Sequence, residues 1–135
     1  MSKPRLIDTN LIVRHLVQDN EKQAALAGKL FDACDRGELA IVVLPAVLAE
    51  CVFVLESFYE HQRGDIASVL GRFISSPGVE ISDATMHLDA LDRYARSNAH
   101  FVDCLIAAAA IARNIPVASF DQNFQKIRDV RVEIE

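Results

Sequence analysis

A chain of 135 residues is long enough to close one hydrophobic core and short for two, so a single domain over residues 1–135 is expected. Its 51% hydrophobic and 24% charged residues, with only five Gly and four Pro, exclude a disordered or low-complexity chain. A net charge of −5, from 14 basic and 19 acidic residues, argues against a nucleic-acid partner held by overall charge alone.

Lys3 to Ile7 reads as a strand, Asp8 to Asn10 (DTN) as a turn, and LIVRHLV as the helix that follows. Asn20 is placed to cap a second helix, EKQAALAGKLFDACD, which Gly37 ends. LAIVVL is a continuous apolar strand of the buried, parallel kind, and Pro45 suits the first turn of the next helix, AVLAECVFVLESFYE. The whole run Leu39 to Leu55 falls short of the ~20 apolar residues of a membrane helix, and Pro45 and Glu50 interrupt it. An amphipathic helix from about Asp65 to Ile74 stops at SSPG, and Val79 to Ile81 is a short strand. Ser82 or Asp83 caps a helix that runs through Leu91 and Tyr94. FVDCLIAAAAIA is a helix apolar all round except for Asp103, which predicts that it lies inside the protein. IPVAS is a strand, DQNFQKI a short helix or turn, and VRVEI a last strand with alternating sides.

Strands alternating with helices predict an α/β fold with a mainly parallel sheet of about five strands sandwiched by helices. Sites in such sheets lie at the carboxyl ends of strands. Cys34, Cys51 and Cys104 are odd in number and far apart, which predicts buried small apolar residues rather than disulfides or zinc ligands. His15, His61, His87 and His100 lack metal-ligand spacing and are expected at the surface or its boundary. Met1 to Leu6 lack the apolar core of a signal peptide, so no membrane association and a cytoplasmic location are expected.

Solvation accounts for most of the acids, and four fall outside it. Asp8 follows the first strand and Asp121 follows IPVA, where either N-capping or site chemistry would place an Asp. Glu50 lies too far inside its apolar helix to cap it, and a buried ion pair with an arginine is the structural alternative. Glu56, six residues on, points to a different face. Asp103 gains from the positive end of its helix dipole, a weak reason to accept a charge in so apolar a helix. All four lie just beyond strand ends and could converge. Two carboxylates about 5.5 Å apart repel by roughly 3 kcal/mol at an effective dielectric of 20. A cluster of four must therefore take up protons or cations, and oxygen-only ligands select Mg²⁺ or Mn²⁺. Such ions held by carboxylates serve phosphodiester hydrolysis.

In this order the motifs resemble those of PIN-domain ribonucleases, and the chain length is similar to that of VapC-type toxins of toxin–antitoxin pairs. LIDTN resembles the first acidic motif, with Asp8 as ligand and Thr9 or Asn10 in support. PAVLAE resembles the second through Glu50, FVDCLIAAAA the third through Asp103, and SFDQNF the last through Asp121, with Ser119 a supporting hydroxyl. The resemblance covers nearly the whole chain. It implies a parallel sheet sandwiched by helices and Mg²⁺- or Mn²⁺-dependent RNA cleavage with one or two ions. Asp8, Asp103 and Glu50 would hold metal, and Asp121 would complete the site. It also implies an antitoxin partner and a homodimer. Asn123 stands where many relatives carry another Asp, which weakens the second metal position. Setting the four acids aside brings −5 to −1, so RNA affinity must come from local patches. Arg14, Arg93 and Arg96 could touch phosphates or be solvated helix arginines.

Two other classes compete. A receiver-type signalling domain needs paired acids after the first strand and a lysine after a late one, and DTN offers one acid with no such lysine. A haloacid-dehalogenase phosphatase needs D-x-D, which Asn10 breaks. A non-catalytic PIN-like module that binds RNA or protein has the same sequence pattern, and only geometry separates it from a nuclease.

Overall fold

The first three helices begin where local chemistry supplies a missing acceptor or removes a donor. The computed structural model describes residues 4–134, so Lys3 of the expected first strand lies outside the described residues. After β1 (Arg5–Leu6), Asp8 adopts extended backbone and its Oδ1 accepts from Leu11 N at 3.0 Å, starting α1 (Thr9–Val17). Asn20 Oδ1 accepts from Gln23 N at 3.0 Å and starts α2 (Glu21–Asp35), and Gly37 turns the chain at φ +76°. β2 (Ile41–Val42) leads to Pro45 at the first position of α3 (Pro45–Ser57). Then come α4 (Arg63–Ile74), β3 (Val79–Glu80), α5 (Ala84–Ala95) and α6 (Phe101–Arg113). Asp83 precedes α5 in left-handed backbone and makes no side-chain cap.

The sheet is parallel, in the order β1-β2-β3, with Arg5 opposite Ile41 and Ile41 opposite Val79. This is the expected α/β class with three strands rather than five. IPVAS and VRVEI come together only at one parallel bridge, Val117 to Val132, closed by Val117 N to Arg131 O (2.8 Å) and Glu133 N to Val117 O (2.9 Å). Pro116 has no N–H to extend the pairing, and beyond Ser119 the chain turns into a 3-10 helix (Gln122–Lys126).

Two groups of buried side chains result. The main core gathers Ile12, Ile41, Leu48, Leu55, Leu70 and Tyr94 from the sheet and helices. A smaller one joins Ala107 and Ala110 of α6 to Val117, Phe124 and Val130. Helix α6 thus lies between two cores: Phe101, Cys104 and Ala108 face one, Ala107 and Ala110 the other. That explains an apolar sequence on so many sides, and it corrects the expectation of a wholly internal helix. Val102 is 56% exposed and Ile106 40%.

The three cysteines are free and buried, as expected. His87 is not at the boundary. It is 1% exposed, with Nδ1 3.0 Å from the Asp83 carbonyl. Glu56 belongs to a structural network, which is why it stands apart from Glu50. Arg63 donates to Glu56 Oε1 (3.0 Å), to the Tyr94 carbonyl (2.9 Å) and to the Ala99 carbonyl, and lies over the Tyr94 ring at 3.8 Å. Tyr94 Oη also donates to Glu56 (2.9 Å), so α3, α4, α5 and the turn before α6 are tied at one point.

Candidate active site

β1 and β2 run parallel, so their carboxyl ends open on one edge of the sheet. Asp8 leaves the end of β1, and Glu50 stands in the second turn of α3, which follows β2. Both are exposed. They meet electrostatically at Cys51: its thiol is pushed up to about 12, first by burial, then by the charges of Glu50 and Asp8. Glu50 makes no ion pair among the described residues, which removes the arginine-paired alternative. It lies on the same outer face of α3 as Phe53, which is 66% exposed. Thr9 is buried beside Asp8, and its hydroxyl oxygen has no hydrogen-bond partner.

Asp103 occupies the first turn of α6 and is half-buried, again without an ion pair among the described residues. It lines a cavity of about 760 Å³ between α5, α6 and the segment 123–129, together with Arg96, Asn98, Asn123, Lys126 and Arg128. Asp121 is exposed and caps the 3-10 helix, its Oδ1 accepting from Asn123 N at 2.9 Å. Ser119 Oγ accepts from Asp121 N at 2.9 Å and so supports it. Asn10 is exposed at the start of α1.

The capping alternatives for Asp8 and Asp121 are therefore realised, and each cap uses one carboxylate oxygen. Asp8 and Glu50 both act by charge on the buried Cys51 thiol, and Asp103 stands on α6, which packs against α3. Among the described residues, no three Asp, Glu, His or Cys side chains stand close enough to form a ready ligand cluster. The donor set still fits a hard divalent cation in chemistry, being carboxylate oxygen throughout, and the orphaned Thr9 hydroxyl lies beside its first member.

The three arginines named from the sequence all have acid partners. Arg14 donates to Asp19 (2.7 Å) and to Tyr59 Oη (3.1 Å). Arg93 reaches Asp89 and, through two bonds, Asp129. Arg96 pairs with Asp92. Lys126 and Arg128, which the sequence reading passed over, make no ion pair among the described residues and line the cavity beside Asp103. The signal for them was their position in the basic run KIR that follows the last acidic motif.

The PIN domain family model matches residues 5–130, and the chain belongs to the PIN-domain family. It is similar to a VapC ribonuclease of Aquifex aeolicus (strain VF5), at 26% identity over 124 residues and 91% of each chain. A solved structure, VapBC2 from Rickettsia felis bound to a DNA fragment from their promoter, is similar at 19% identity and TM-score 0.42, over 97% of this chain and 98% of that one. No helix among the described residues is long and apolar enough to cross a membrane.

Proposed function

We propose that the chain is a metal-dependent endoribonuclease of the VapC kind, the toxin of a toxin–antitoxin pair, with Asp8, Glu50, Asp103 and Asp121 as its acidic site. The observation that carries this reading is Asp103, a half-buried carboxylate without an ion pair among the described residues, opening on a cavity lined by cations in a chain of the PIN family. The similarity to a VapC ribonuclease supports RNA as substrate; the antitoxin partner rests on the motif resemblance to VapC-type toxins.

The four acids would hold one or two Mg²⁺ or Mn²⁺ ions, whose chemistry when bound is to activate a water and offset charge on the phosphate. The buried Thr9 hydroxyl, unpartnered in the structure and next to Asp8 in the chain, would be free to donate to a water held by that carboxylate. Ser119 fixes the turn that carries Asp121. Arg96, Lys126 and Arg128 supply positive charge where an RNA backbone would approach Asp103. Purified protein should cut single-stranded RNA in millimolar Mg²⁺ or Mn²⁺ and lose the activity in chelator. Cleavage that persists in chelator, or none with either ion, sinks the reading. The second outcome would favour a non-catalytic PIN module, a reading to which the lack of a ready three-ligand cluster among the described residues lends weight.

We also propose a homodimer. Leu44, Phe53 and Phe58 in and around α3 and Val102 and Ile106 of α6 leave large apolar side chains in water. The mass in solution at high micromolar concentration should be near twice 14.9 kDa. A strictly monomeric mass refutes it.

A further inference from the structure

Phe120 is 93% exposed, the most open of the large apolar side chains among the described residues. It does not hang on a loose loop. Its neighbours on both sides are pinned, Asp121 N to Ser119 Oγ and Asn123 N to Asp121 Oδ1, both at 2.9 Å, and Phe124 is anchored in the smaller core. Its chain neighbours Ser119, Asp121, Gln122, Asn123 and Gln125 are polar and the small Ala118 is the one exposed apolar residue within two positions, so along the chain the ring does not extend a large apolar patch. An exposed aromatic face on a hydrogen-bonded turn, with amide side chains close by in the chain, offers what an unpaired base requires: a surface to stack on and groups to bond its edges. The same segment then supplies Lys126 and Arg128, both without an ion pair among the described residues.

We propose that Phe120 is a stacking platform for one base of a single-stranded RNA, next to the bond cut at the adjoining Asp121, and that Lys126 and Arg128 hold the phosphates of the same strand. This rests on the ribonuclease reading and adds a positioning and selecting residue to it. The ring takes no part in the chemistry. It sets which nucleotide lies against the acids and favours an unpaired strand over a duplex.

The chain has no tryptophan, so Phe120→Trp places a single tryptophan at the platform, excited apart from the two tyrosines. In an Asp103→Asn background, a short single-stranded RNA of mixed sequence should quench that fluorescence, and the same RNA in a duplex should not. Phe120→Ala should weaken binding of the single strand about 10-fold, the loss of one stacked base. In the active protein it should raise KM while kcat is held, and Phe120→Tyr should restore KM. Lys126→Ala with Arg128→Ala should flatten the dependence of log affinity on log salt by about 1.4, at ~0.7 per phosphate contact on a single strand. RNA bound without quenching, equal quenching by duplex, or unchanged affinity and KM in Phe120→Ala each overturns the platform while leaving the nuclease reading intact. The last result would assign the ring to a protein partner. A wild-type chain that neither binds nor cuts RNA removes both proposals together.

Discussion

Asp103→Asn should abolish RNA cleavage, by at least ~100-fold, while the fold survives. The size is taken from what one preorganised electrostatic group contributes, about 10²–10³ in rate for a single oxyanion-hole donor. The survival follows from surroundings. The carboxylate is half-buried at the cavity and pairs with no cation among the described residues, so the amide strands no opposite charge. Replacing the charge in the first turn of α6 loses a dipole contribution of ~0.3–1 kcal/mol and relieves repulsion from the other acids, two small effects of opposite sign. In chelator the variant should melt within a few degrees of the wild type or above it. Mn²⁺ should raise the melting temperature of the wild type more than that of the variant, because the ion binds the native state and hardly the unfolded chain. A variant that melts far below the wild type in chelator would make Asp103 structural, since breaking a buried charge pair costs ~3–5 kcal/mol. Undiminished cleavage by a folded variant would end its catalytic assignment.

The largest expected loss of stability comes from a glycine remote from the acids. Gly78 precedes β3 at φ +81°, where an L side chain is strained whatever the space. A Cβ there would stand 2.7 Å from Cys34 Sγ, 2.9 Å from the Cys34 carbonyl and 3.2 Å from the Leu39 carbonyl. Two of these three atoms are backbone, and the buried Cys34 has little room to turn. The Gly78 carbonyl also accepts from Ile41 N at 2.8 Å, so any retreat of the chain loosens the β2–β3 pairing. Gly78→Ala should destabilise by about 2–4 kcal/mol and lower the melting temperature by on the order of 10 °C. Gly28→Ala is the control. Its Cβ meets nothing within 4 Å and lies inside α2, so it should be neutral or stabilise by up to about 1 kcal/mol. Denaturant titrations of the three proteins measure this. A Gly78→Ala variant as stable as wild type would refute the account.

What the sequence made legible was local. Asn20, Pro45 and the caps at Asp8 and Asp121 act within three residues of themselves, and each appears where it was read. The parallel α/β class followed from alternation of elements. Features set by distant partners were not legible. Arg93 finds Asp129 across 36 positions, and the network of Arg63, Glu56 and Tyr94 joins three helices. The apolar pattern of α6 could not reveal that it divides between two cores, nor that Val102 and Ile106 are left over. His87 looked like a surface histidine because its burial depends on how α5 packs against its neighbours. Phe120, one of two phenylalanines in SFDQNF, carried no mark that separated it from the anchoring Phe124. The number of strands failed for a physical reason as well: IPVAS contains the residue that cannot donate to a ladder.

Asp8 and Asp121 each commit one oxygen, Oδ1, to a backbone amide that begins a helix. An asparagine keeps that oxygen and discards only the charge, whereas an alanine discards both and adds a lost cap of ~1 kcal/mol to whatever the chemistry loses. Cap and charge are therefore separable at these two positions by choice of replacement. The same division limits how far either position can drift: a replacement must first satisfy the amide, so asparagine, serine and threonine are the ones that keep the cap while removing the charge.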